Sequence, residues 1–425
     1  MTPRSRLDAF PALRVAPYRR LLLALTAGQT GLHAFETTLF WTAFEQTGSA
    51  VLVSLLLIAL VVPVLVLTVP VGIVVDRFGP RRLLLPATAT AAGVIGLAVV
   101  AAAAIGLSYE MILVLALLEG SFFACWAIPA QVLGSRVVDR AQMPSAIGLS
   151  MLPSGIGSML GGLGGGTILH LFGPVPAVAI GATGLTIATF AIAGLPDLPG
   201  YGTASGTRVR GQLGDAAAWI RQTPVALAVI GLGASAGFFA MSRFGLTPVF
   251  VHDVLDAGPA GLGLMTMAGG LGTILGTTMT DAAGRRLRRG PVLLGALGVS
   301  GLALMALGVA PHLAIALVFA ALITCTLIIY QVTAMTVLQV LAPPRMRGRT
   351  LALYDLVRLG LVPPGSLTAG LLVAAIGVSG VFLFFGAMVV LAVIVVAVLA
   401  RPLIHLDLDA ALVQTDLVPA EPPDD

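Results

Sequence analysis

Long apolar blocks alternate with short polar breaks from Tyr18 to Ala400. A helix of about 20 apolar residues crosses a bilayer core. The backbone there must satisfy its own hydrogen bonds, which leaves helices or a closed barrel. The blocks are too long and continuous for barrel strands. The pattern predicts twelve spans, the first six over 20–44, 51–75, 83–104, 110–134, 146–169 and 174–194. The second six cover 224–249, 259–280, 291–309, 312–339, 350–374 and 379–400.

The widest polar break, Leu195–Gly214, divides the chain into two groups of six. The expected organisation is an N-terminal segment 1–19, a bundle 20–194, a linker 195–223, a second bundle 224–400 and a disordered acidic tail 401–425. Asp215–Arg221 reads as a short amphipathic helix. The first span is expected to stay on the chain, because no small-residue cleavage site follows it.

Composition agrees with the spans. Of 425 residues, 58% are hydrophobic and 10% charged, and mean hydropathy is +1.03. Soluble domains carry roughly 25% charged residues. The net charge of +4 does not mark a nucleic-acid binder. All 23 basic residues are arginines, and all but Arg243 and Arg358 fall in the termini and alternate breaks. That is the positive-inside asymmetry, and it puts both termini in the cytoplasm. Cys125 and Cys325 lie inside apolar blocks and read as packing residues.

Two short charged turns mark a duplication. Gly72-Ile-Val-Val-Asp76-Arg77-Phe-Gly79-Pro-Arg81-Arg82 has a degenerate second copy at Asp281-Ala-Ala-Gly-Arg285-Arg, 205 residues later measured between the aspartates. Gly161, Gly166 and Gly173 precede Gly365, Gly370 and Gly377 by 204. A near-constant offset fits two parallel six-helix repeats around a central cavity.

The Gly72–Arg82 turn resembles the loop between helices two and three of the major facilitator superfamily, with Pro80 where that family has arginine. The likeness covers about residues 15–402. Tyr18-Arg-Arg, Phe44–Ser49 and Pro344–Arg349 are similar to the branch of the enterobactin exporter and the macrolide efflux proteins. In span five, Gly148, Gly157, Gly161, Gly162, Gly165 and Gly166 are similar to the glycine motif of drug antiporters, with Gly162 in place of a proline. The resemblance implies an all-α membrane fold, a small-molecule substrate and exchange for protons. It also implies that the Asp76 loop packs on the inner start of helix eleven. There Asp76 would cap the helix, and Arg77, Arg81, Asp139, Asp355 and Arg358 would form a cytoplasmic gate. Leu32-His33 and Glu119-Gly120 depart from the family at positions that often carry its proton chemistry.

Ionisable groups inside a bilayer are costly and mark function by default. Six stand inside spans: His33, Glu36, Glu119, Arg243, Asp355 and Arg358. His33 and Glu36 share a helix face. Arg243 follows Glu36 by 207, close to the repeat offset, so the two are expected at similar depth on equivalent helices. A made-and-broken pair and a static ion pair are both open readings. Glu119, Gln131 and Gln331 are further candidates for proton or substrate contact. Asp355 and Arg358 read equally as a local intrahelical pair.

No phosphate loop, metal-ligand cluster or nucleophile elbow occurs in the sequence, so neither an enzyme nor a cofactor is expected. The expectation is a monomeric exporter of a drug or siderophore-like amphiphile in a bacterial inner membrane, surrounded by lipid and independent of nucleic acid. An importer of a nutrient or lipid and a non-transporting sensor are the alternatives.

Overall fold

A computed structural model of the chain describes residues 11–139, 142–200, 209–284, 288–400 and Leu403. Among these, every regular element is a helix. The first half holds α1 (Ala16–Thr47), α2 (Ala50–Phe78), α3 (Pro80–Ile105), α4 (Tyr109–Arg136), α5 (Met143–Leu149), α6 (Leu152–Phe172) and α7 (Pro174–Ala193). A surface helix, α8 (Val209–Gln222), leads into α9 (Pro224–Ser235), α10 (Thr247–Asp253), α11 (Gly258–Gly284), α12 (Arg289–Gly308), α13 (Leu313–Leu341), α14 (Arg347–Gly360) and α15 (Val362–Leu399).

Nine stretches of the described residues are long and apolar enough to cross a membrane. The last, Arg347–Leu399, holds two spans. The glycine-rich α6, continued by α5, and the more polar α1 complete the twelve. The two six-helix halves expected from the repeat are present. The expected segment before residue 11, the middle of the linker and the tail after Leu403 lie outside the described residues.

Single glycines make the sharpest turns. Gly79 joins α2 to α3 with φ 93°, and Gly173 joins α6 to α7 with φ 81°. Gly377, its repeat partner, breaks α15 with φ 69°. Residues with a Cβ rarely adopt such angles. Ser49 and Ser108 cap α2 and α4 by accepting from Leu52 N and Met111 N at 3.3 and 3.4 Å.

Three spans expected to be continuous are broken. Span five divides into α5 and α6 just ahead of Pro153. Span eleven divides at Leu361, ahead of Pro363 and Pro364, whose rings cannot continue the preceding hydrogen-bond ladder. Span seven passes from α9 through a π-helical turn, Ala236–Met241, and a 3-10 turn, Ser242–Leu246, into α10. Such irregular turns shift side-chain direction within a helix and gather at functional sites. Here Gly237 lies against the Arg358 carbonyl, so the turn is also where two backbones meet.

The expected amphipathic helix of the linker is α8. Its buried Ile220 joins the second half's core, and Ala216 is buried as well.

Candidate functional site

A cavity of about 320 Å³ lies between the halves. From the first half, His33, Glu36, Thr37 and Phe40 of α1 reach it, with Leu57 and Leu60 of α2 and Ser158 of α6. From the second half come Met241, Arg243, Phe244 and Thr247 of span seven, Thr266 and Thr273 of α11, and Thr324 of α13. The wall is mostly apolar, with hydroxyls spaced along it.

His33 and Glu36 stand one helical turn apart. His33 Nδ1 and Glu36 Oε2 are separated by 3.2 Å. Both are half-buried and face the open space. Arg243 sits just after the π-helical turn and is 3% exposed. Its Nη2 donates to Thr324 Oγ1 at 3.2 Å, and its guanidinium lies 4.3 Å from the Phe244 ring centroid. Its Nε has no hydrogen-bond partner. Glu36 and Arg243 therefore share one cavity, as the repeat offset predicts, but each has a different partner in this state.

Glu119 of α4 is 5% exposed, and its Oε2 has no partner. It does not line the cavity. Gly120 brings α4 against the Leu60 backbone of α2, which fixes Glu119 at this depth. Gln131 is exposed and Gln331 half-buried, and neither lines the cavity.

The glycine motif of span five has two working faces. Gly157 and Gly161 lie against Gln29 and Thr30 of α1, and a Cβ on Gly165 would sit 2.7 Å from Ala34 Cα. Gly162 and Gly166 face the other half, where a Cβ would meet Thr266 Cβ at 2.6 Å and Gly263 Cα at 2.7 Å. Small residues allow such close backbone approach. Gly148 and Gly72 have open space beside them.

Both halves meet at mid-depth and toward the arginine-free end. Ser158 Oγ donates to Thr266 O at 3.0 Å, and Ser366 Oγ donates to Ser54 O at 3.3 Å. At the extreme of that end, His252 packs against Trp41 and Phe44, with ring centroids 5.9 and 5.2 Å away. The barrier between the cavity and this end is thus built from α1, α2, α10 and α15.

The opposite end differs from the gate expected there. Asp76 is exposed and makes no hydrogen bond or ion pair among the described residues, so it does not cap α14. Arg77 lies over the adjacent Phe78 ring at 5.1 Å. Arg81 donates to Ala193 O at 2.7 Å, and Arg82 pairs with Asp197 at 3.1 Å. Gly200 packs on the Asp76 carbonyl, so the segment following α7 occupies this turn. Asp139 is exposed, and its backbone N–H donates to Gln142. Asp355 and Arg358 form the local pair at 2.9 Å, and Arg358 also reaches Met241 Sδ at 3.1 Å. The side chains of Asp281 and Arg285 lie outside the described residues. Among the described residues, those expected to form a gate make no ion pair or side-chain hydrogen bond with one another apart from the Asp355–Arg358 pair.

Sequence reasoning missed Thr266, Thr273 and Thr324. Each is a hydroxyl within an apolar helix, and such groups usually bond their own helix, as Thr324 does to Ala320 O at 3.1 Å. No group of His, Cys, Asp and Glu able to hold a metal ion occurs among the described residues.

Residues 7–420 match the family described as transmembrane secretion effector, of the major facilitator type. The multidrug efflux pump Tap of Mycolicibacterium fortuitum is 26% identical over 380 residues, covering 85% of this chain and 90% of that protein. The nucleoside transporter NupG superposes with a TM-score of 0.68 at 14% identity, covering 89% of this chain and 98% of that one. A bacterial homologue of the human lysosomal transporter Spinster, in an inward-facing and unoccupied conformation, gives 0.65 at 15% identity, covering 95% of this chain and 99% of that one. These structural likenesses concern the fold. The family match spans nearly the whole chain, and with it the chain belongs to the transmembrane secretion effector family of the major facilitator superfamily, as a multi-pass membrane transporter.

Proposed function

We propose that the protein exports a small amphiphilic organic molecule, a drug or a siderophore-like metabolite, by alternating access coupled to proton entry. The observation that carries this reading is the shared cavity, apolar over most of its wall and lined also by His33, Glu36 and Arg243. An apolar cavity with few polar groups suits an amphiphile. Ionisable groups at bilayer depth are costly and are kept where they contact cargo or protons.

The arginine distribution supports cytoplasmic termini in a bacterial inner membrane, with the cavity facing the cytoplasm in this state. Substrate would enter past the gate turn and displace a proton from the His33–Glu36 pair. Rocking of the halves about the α6–α11 glycine seam would open the Trp41–His252 end. Asp76 would then reach α14 and hold the cytoplasmic side shut, favoured by the positive end of that helix. A proton from outside would reload Glu36 as cargo leaves. One chain contains the whole cavity, so a monomer suffices. The export direction is supported by the efflux pump among its relatives.

Everted membrane vesicles holding a preformed pH gradient test this directly. Compounds from a siderophore and antibiotic panel are added while internal pH is read by a fluorescent dye. Proton release triggered by a transported compound is the expected result. A compound that enters the vesicles without moving protons would sink the antiport reading.

A further inference from the structure

The polar groups of the cavity are unequally satisfied. His33 and Glu36 engage each other at 3.2 Å. Arg243 has no carboxylate within ion-pair distance among the described residues. A guanidinium presents five N–H donors in a planar fork. Here Nη2 has one partner, Thr324 Oγ1 at 3.2 Å, and Nε has none. The side chain is 3% exposed, and Phe244 covers one ring-like face at 4.3 Å. Its edge, not its face, is what remains to be used.

A buried donor left unpaired is costly, and a charged one more so. The group that best matches a guanidinium edge is a planar oxyanion, which accepts two parallel N–H bonds. Thr324 beside the fork accepts from Nη2 and holds the fork in place, its own hydroxyl proton going to Ala320 O at 3.1 Å. Glu36 does not fill this role here: its ion-pair contact among the described residues is His33 Nδ1 at 3.2 Å, and no ion pair joins it to Arg243.

We propose that Arg243 recognises an acidic group on the cargo, so that the transported molecule is an amphoteric amphiphile. Its carboxylate, or a like oxyanion, sits on Arg243, its basic group points toward Glu36, and its apolar body lies along Phe40 and Phe244. This rests on the export reading for the cavity and names the cargo class. It is compatible with antiport: the basic group and a proton compete for Glu36, while the acid end adds affinity at an arginine that stays charged. A cargo with only a basic group would leave the Arg243 edge unpaired, and selection against it follows from that cost.

The test is equilibrium binding by isothermal titration calorimetry on the full chain in detergent. The probes are 3-(2-naphthyl)alanine, which is amphoteric, and its methyl ester, which keeps the amine and loses the acid. The amino acid should bind saturably and about ten- to hundredfold more tightly than the ester, the range of a charged hydrogen-bonded contact. Arg243→Gln should erase that ratio, Arg243→Lys should keep part of it, and Glu36→Gln should weaken both probes while leaving the ratio intact. Equal binding of the ester to the unaltered protein overturns the proposal without needing any variant. So does the absence of saturable binding by either probe, or a ratio that survives Arg243→Gln in a protein that remains monodisperse. Binding requires no proton gradient, so a missing acid preference leaves coupling through Glu36 to be decided by transport.

Discussion

Glu36 and Arg243 face one cavity from opposite halves, yet Glu36 is held by His33 at 3.2 Å and Arg243 by Thr324 at 3.2 Å. Residues in direct contact show coupling energies of roughly 0.5–3 kcal/mol, whereas independent sites add. Thermal unfolding of Glu36→Gln, Arg243→Gln and the double variant should therefore give effects that add within about 0.5 kcal/mol. A larger interaction energy would mean that the two charges pair in the resting state.

Span five offers a one-residue contrast. A Cβ on Gly165 would lie 2.7 Å from Ala34 Cα of α1, while one on Gly164 meets nothing within 4 Å. Overpacking a tight contact costs roughly 1–3 kcal/mol, and a change in open space stays within about 0.5 kcal/mol. Gly165→Ala should lower the melting temperature of the purified protein and Gly164→Ala should leave it unchanged. Equal effects would contradict the close α1–α6 packing.

Much of this was legible in the sequence, because the bilayer imposes length and polarity on every span. The glycine offset found Gly173 and Gly377 as partners, and both prove to be positive-φ turn residues. Glu36 and Arg243, matched by the offset, both line the cavity. What it missed is lateral. The direction of Arg243 depends on the π-helical turn before it and the 3-10 turn that contains it, and the former lies where Gly237 meets the Arg358 carbonyl of another span. Such a contact has no local signature. Glu119 was visible as a buried charge, but only the structure shows that it does not line the cavity. The resemblance implies Asp76 on the start of helix eleven, whereas the structure has the Asp76 turn beside Gly200 and Arg82 paired with Asp197.

Asp76 gives a test of that gate. It is exposed and unbonded among the described residues, so Asp76→Asn should change stability by no more than about 0.5 kcal/mol, as for an isolated surface site. If the carboxylate stabilises only the state with the cytoplasmic side closed, its loss should slow transport by about tenfold for each 1.4 kcal/mol removed from that state. Melting curves and initial transport rates on the same preparation separate the two. Unchanged transport would remove Asp76 from the cycle.

Coupling through Glu36 is tested most directly in proteoliposomes with an imposed pH gradient, comparing the unaltered chain with Glu36→Gln on a panel of siderophores and antibiotics. The account predicts that a cargo accumulates only with the gradient, and that Glu36→Gln abolishes accumulation while downhill exchange of that cargo continues. Gradient-driven accumulation by Glu36→Gln at the unaltered rate would contradict it and leave Glu36 a structural residue.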